Sequence, residues 1–225
     1  ENAVVGVNAS GFIDTGGVSL GGQISGMCVS QGEYWGSYKS KYTLLGFDKD
    51  DRMIVGGTGD WEQYNIRDGM QFRPTLILNG VEVTCDNSSA IYVKNAKKVI
   101  LSLVADTTNT FADGSEYVYD DKAEEEPNAC IFSKDDLVIA GTGALIVKGN
   151  FNNGIYSKDD LTITGGKISV EAVNHGIKGK DSIAVLNSDI TIKADGDGIC
   201  SSNNVDEGEG FILLDNGIYN ITSGQ

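Results

Sequence analysis

Lysine and aspartate stand side by side at a fixed interval through the second half of this chain. Lys94, Lys134, Lys158 and Lys180 are followed directly by Asn95, Asp135, Asp159 and Asp181, and Ser202 with Asn203 closes the series. Each pair lies three and four places after an isoleucine: Ile91, Ile131, Ile155, Ile177 and Ile199. Carboxylates stacked in one column repel one another unless positive charge lies among them. The neighbouring lysines supply some. A divalent cation supplies more, and calcium takes six to eight oxygens, often from several carboxylates. A second acidic concentration, "ADGDGICSSNNVDEGEG", offers Asp195, Asp197, Asn203, Asp206 and Glu207. It opens like a calcium loop, but no helical pattern flanks it and no glutamate falls at the closing position of an EF-hand. The expected metal set is Asp135, Asp159, Asp181, Asp195, Asp197, Asn203, Asp206 and Glu207, with calcium as the cofactor. The simpler reading stands beside it: Lys-Asp is a good solvated turn, and duplication copies turns.

Tyr92, Phe132 and Tyr156 stand one place after their isoleucines, and Lys178 continues the column. An outward aromatic column suits the C–H faces of sugar rings, and a cation in it suits a uronate. The expected carbohydrate-binding residues are Tyr92, Phe132, Tyr156, Lys134, Lys158, Lys178 and Lys180. Aromatics are also ordinary outward residues of strands.

The elements that position these side chains follow from the repeat itself. Ile131, Ile155, Ile177 and Ile199 recur at steps of 24, 22 and 22 residues. Ile91 lies 40 residues before Ile131, so that interval holds an insertion, and the acidic run "YDDKAEEEPNA" falls in it as a solvated loop. Within one unit, Leu161 and Ile163 alternate with Thr162, and Ile168 and Val170 alternate with Ser169. Period two is the strand signature, and "KDD", "GG" and "NHG" are turn chemistry between short strands. Three short strands per unit describe a parallel β-helix, with Leu, Ile and Val inside. Asn128, Asn152 and Asn174 stand three places before the isoleucine, where stacked amides cap turns.

Composition narrows the function classes. The chain has 225 residues, 30 glycines, 2 prolines and a formal net charge of −15. That charge argues against nucleic acid, whose phosphates it repels. No apolar run is long enough for a membrane span. The opening "ENAVVGVNASGF" reads as a start from which a leader has been trimmed. The four cysteines, Cys28, Cys85, Cys130 and Cys200, have no CxxC spacing and read as buried free thiols, with Cys130 and Cys200 on opposite faces. The single histidine, His175, reads as a turn residue and argues against both a zinc site and a Ser-His-Asp triad.

Two resemblances follow. "LILNGVEVTCDNSSAIYVKNA", "NGIYSKDDLTITGG", "HGIKGKDSI" and "DEGEGFI" resemble a bacterial family of extracellular carbohydrate-binding proteins. The resemblance implies a right-handed, polysaccharide-lyase-type parallel β-helix that binds cellulose or acidic plant polysaccharides such as pectin, with calcium. "AVVGVNASGFID" and "YNIRDGMQFRPTLILNG" resemble the first half of a phosphodiester glycosidase domain, similar to the enzyme that uncovers mannose 6-phosphate. The later segments of that domain do not follow. Strands are expected at 4–7, 26–29, 43–47, 52–55 and 75–78, with a short helix at 60–66, and Asn8, Ser10, Asp14 and Arg67 as remnant-site candidates.

The expected protein is all-β. Residues 1–80 form a small mixed, mainly β segment, truncated and glycosidase-like. Residues 81–225 form the β-helix. Its expected function is calcium-assisted, non-catalytic polysaccharide binding, secreted or at the bacterial cell surface. Two alternatives remain open: a fibre subunit that self-associates end to end, and a lyase using Lys158, Lys178 or Lys180 as base, or residual glycosidase activity.

Overall fold

Stacked isoleucines organise the structure. In the computed structural model, Ile91 pairs with Ile131, Ile131 with Ile155, Ile155 with Ile177 and Ile177 with Ile199, all in parallel register. The structure describes residues 68–119 and 125–224, and before them 6–9, 12–13, 23–24, 27–31, 33–36, 43–48, 53–56 and 66. Among the described residues every regular element is a strand.

Each coil contributes to three faces. The first face stacks Ile91–Val93, Ala129–Ser133, Asn153–Ser157, Ile177–Gly179 and Ile199–Ser201. The second stacks Lys98–Leu103, Asp136–Gly141 and Asp160–Thr164, and the third Thr108–Asp113, Ala144–Gly149 and Lys167–Ala172. The long strands Ser182–Ala194 and Phe211–Ser223 run through both of these faces in turn. Alternation fills the interior: Leu101, Ile139, Ile163 and Val185 form one inward column, and Phe111, Val147, Val170 and Ile192 another, all buried. Burying each such side chain contributes about 1.5–3 kcal/mol. On the last strand the exposed hydrophobics include Leu214 and Ile221, which continue these inward columns, and Ile212, which continues the column of Leu161 and Ile183.

The ladder starts earlier than the boundary at residue 81 read from the sequence. Ile91 pairs in parallel with Met53, Leu101 with Leu76 and Phe111 with Val83. A first coil is therefore built from Met53–Gly56, the end of Asp68–Leu78, and Glu82–Cys85. It gives a solenoid of about six coils. Gly6–Ala9, Met27–Ser30 and Thr43–Phe47 pair antiparallel with Asp68–Leu78. These three strands match the expected ones to within two residues. The expected helix at 60–66 lies outside the described residues except for Ile66, and the side chains of Asn8, Ser10, Asp14 and Arg67 lie outside them too.

One corner explains a recurrent glycine. Gly154, Gly176 and Gly198 each precede their isoleucine, and a Cβ there would meet Val170 Cγ1 at 2.2 Å, Ile192 Cγ2 at 2.5 Å or Ile221 Cγ2 at 2.3 Å. The same place holds Ala90 and Cys130 in earlier coils, and both are buried in the core. Cys130 thus points inward, whereas Cys200 is half-buried in the outward aromatic column. Cys85 and Cys130 are buried free thiols, as expected. The amide ladder is displaced by one residue. Asn128, Asn152 and Asn174 link successive coils through their backbones, and the side chain of Asn153 donates to Asn128 O at 2.9 Å.

The insertion before Ile131 is anchored by a buried carboxyl. Tyr117 Oη donates to Asp113 Oδ2 at 2.6 Å, the Asn150 N–H donates to Asp113 Oδ1 at 2.5 Å, and Tyr117 stacks on Phe151 with centroids 4.1 Å apart. Burial pushes the Asp113 carboxyl up to about 6, against the pull of those hydrogen bonds. A carboxyl raised in the folded state stabilises when protonated, so its contribution is present below about pH 4 and is lost as pH rises through about 6. The stability of the wild type relative to Asp113→Asn should therefore fall between pH 4 and 7 in urea unfolding curves. A constant gap across that range would show that the carboxyl does not titrate there.

Candidate functional site

The aromatic column is where the sequence placed it, but it is covered. Tyr92, Phe132 and Tyr156 point out of the first face and form a second buried cluster with Ala129, and Phe132 is 0% exposed. Their rings meet edge to face, with centroids at 5.7 Å and 5.4 Å. The expectation of an exposed sugar platform is therefore corrected. Period two tells which way a side chain points; it does not tell what lies on top. Only the far end of the column nears solvent, where Lys178 Nζ lies 4.9 Å from the Tyr156 ring centroid.

The lysine column is partly claimed from within. Glu126, on the insertion, accepts from Lys134 through Oε2 at 2.9 Å and from Lys158 through Oε1. Its partial burial opposes ionisation, but these two ammonium groups outweigh that and hold its carboxyl below the usual range. The acidic run was expected as a solvated loop, and Glu126 departs from that expectation. Lys180 Nζ lies 3.4 Å from Asp181 Oδ1 in its own turn.

The aspartates converge at the corner between the first and second faces. One carboxylate oxygen from each of Asp136, Asp159 and Asp160 lies within 4.8 Å of the others. Asp136 and Asp160 were not on the expected list; they stand five places after their isoleucines, one place beyond the column that the sequence singled out. Burial and then Asp181, Asp136 and Asp160 push the Asp159 carboxyl above the usual range. Asp181 goes the other way: its slight burial is outweighed by donation from the Asn203 amide at 2.8 Å and by its contacts with Asp159 and Lys180. Asp135 Oδ2 accepts from the Ala96 N–H at 3.0 Å, which makes it a turn cap.

The last turn divides instead of closing around one point. Asn203 donates to both Asp181 and Asp206, and its Oδ1 accepts from the N–H groups of Val205 and Asp206. Asp195 and Glu207 are exposed, and among the described residues they join no group of three ligand atoms at this spacing. Asp197 instead faces His175, with Oδ2 3.2 Å from Nδ1.

A cavity of about 370 Å³ opens on the outer side of the third face, lined by Ile146, Lys167, Ser169, Asp189, Thr191 and Asn220. Its residues look like any outward strand positions in sequence, and only the register brings them together.

The stacked coils make this an all-β parallel solenoid, a β-helix. A solved structure described as the polysaccharide lyase-like protein from C. thermocellum, a gadolinium derivative, matches with a TM-score of 0.64 and 35% identity, over 67% of this chain and 69% of that one. The model of the carbohydrate-binding domain-containing protein family matches residues 54–225, and the chain belongs to that family. That match begins where the first coil begins. A carbohydrate-binding domain-containing protein of Acetivibrio thermocellus is 34% identical over 185 residues, 76% of this chain. The chain spans 61% of that relative's length. The phosphodiester glycosidase resemblance of residues 1–80 is not carried by these matches.

Proposed function

We propose that the chain binds an acidic polysaccharide, outside the bacterial cell or at its surface, and does not cleave it. The polymer lies along the corner between the first and second faces, with calcium shared between its carboxylates and those of the protein. The observation that carries this reading is the convergence of Asp136, Asp159 and Asp160 within 4.8 Å, beside the lysine column. The donor set fits calcium: it is all hard oxygen, and burial together with the neighbouring carboxylates of Asp181, Asp136 and Asp160 disfavours a charged Asp159, which a dication relieves. Asp136, Asp159 and Asp160 would hold the ion. Bound calcium supplies the positive charge that lets two acidic partners meet. Lys178 and Lys180 offer ammonium groups to further uronate carboxylates. Lys158, a candidate base for lyase chemistry, is tied to Glu126. The family description supports a carbohydrate ligand, and the charge pattern favours a uronate polymer over cellulose.

Calorimetric titration with oligogalacturonate tests the reading, first with calcium and then with chelator. Binding is expected with calcium and should disappear with chelator. No binding in either condition, or binding of cello-oligosaccharide alone, overturns the acidic-polymer reading.

A further inference from the structure

The outward side of the first face ends in chemistry unlike the rest of the corner. His175 and Asp197 occupy the same place on adjacent coils, two residues before Ile177 and Ile199, and Cys200 directly follows Ile199. One ligand atom from each lies within 4.8 Å of the other two. The Asp197 N–H donates to His175 Nδ1 at 3.1 Å, so that nitrogen carries no proton. The same nitrogen lies 3.2 Å from Asp197 Oδ2. A ring nitrogen and a carboxylate oxygen thus stand at the spacing of two ligands on one cation, which takes the place of the backbone N–H at the imidazole. Cys200 is a free thiol at the edge of this pair.

We propose that His175, Asp197 and Cys200 form a site for a borderline-soft divalent d-block ion such as zinc, separate from the calcium corner. The set offers one nitrogen, one oxygen and one sulfur, the donors zinc takes in tetrahedral sites, and leaves a fourth position open. Calcium prefers all-oxygen sets and is not served by imidazole and thiolate. The Asp197 carboxylate and the Cys200 thiolate balance the two positive charges. The ion displaces the Cys200 thiol proton on binding, because the thiolate is the ligand. A single histidine argued against zinc in the sequence. The other two donors become its neighbours only once the coil register is fixed.

Cobalt(II), added to the metal-stripped full chain, reads the site directly. One equivalent should bind with a thiolate-to-cobalt charge-transfer band and the stronger visible bands of tetrahedral coordination. Cys200→Ser should abolish the charge-transfer band. Asp197→Asn and His175→Gln should each weaken binding on the order of tenfold or more. Thermal unfolding checks that each variant keeps the fold, and Asp159→Asn should leave the band unchanged. Cobalt bound without the sulfur band, or with equal affinity in wild type and Cys200→Ser, overturns the proposal. So does loss of the band in Asp159→Asn alone. None of these results depends on whether a polysaccharide binds.

Discussion

Phe132→Ala should destabilise the protein by about 3–5 kcal/mol, the usual cost of emptying a buried aromatic site. Phe132 lies between Tyr92 and Tyr156, edge to face with both, and is 0% exposed. Such aromatic pairs add about 0.5–1.5 kcal/mol each beyond their buried area. Urea unfolding measures the effect. At temperatures where the variant stays folded, its affinity for oligogalacturonate should match the wild type. A solvent-facing sugar platform predicts the reverse: little loss of stability and a large loss of binding. A shift below about 1 kcal/mol would mean that the column is not buried in solution.

Asp159→Asn should act in opposite directions with and without calcium. Burial and the surrounding carboxylates hold the Asp159 carboxyl above the usual range, so the folded state favours its protonated form. The stability this contributes is present at low pH and is lost as pH rises through the folded pKa. Asparagine stays neutral, so at pH 7 without calcium the variant should be at least as stable as the wild type. With calcium the order should reverse. The wild type gains the linked binding energy, and the variant, lacking one hard ligand, binds calcium on the order of tenfold more weakly. Thermal unfolding with calcium and with chelator reads both arms. An equal calcium-induced shift in the two proteins would place the ion elsewhere.

The repeat was legible because a solenoid writes its interior as a period. The isoleucine column and the alternation in 161–163 and 168–170 are direct consequences of strands that pair in register. Features made by the insertion were not legible. Glu126 sits in an acidic run that looks like any solvated loop, and nothing local tells that two lysines of later coils will meet it. The burial of Phe132 is hidden because the rings packed on it, Tyr92 and Tyr156, come from the coils before and after. Asp136 and Asp160 stand one place beyond the column of Asp135 and Asp159, and the corner they build with Asp159 spans two offsets of the repeat. The first coil escaped because Met53 and Ile91 are separated by 38 residues and share no repeat phrase.

Each coil of the solenoid rests on the coils directly before and after it. Stability in such a stack is nearly a sum over neighbours, so a coil can be added or lost without redesigning the remainder. The charged corner lengthens with it, by about 4.8 Å per rung. In this sense the molecule is a ruler whose graduations are its coils. On the proposed reading, a polymer laid along it would meet the lysine–aspartate pairs of three successive coils, at 134–135, 158–159 and 180–181, and its avidity would grow with each further copy.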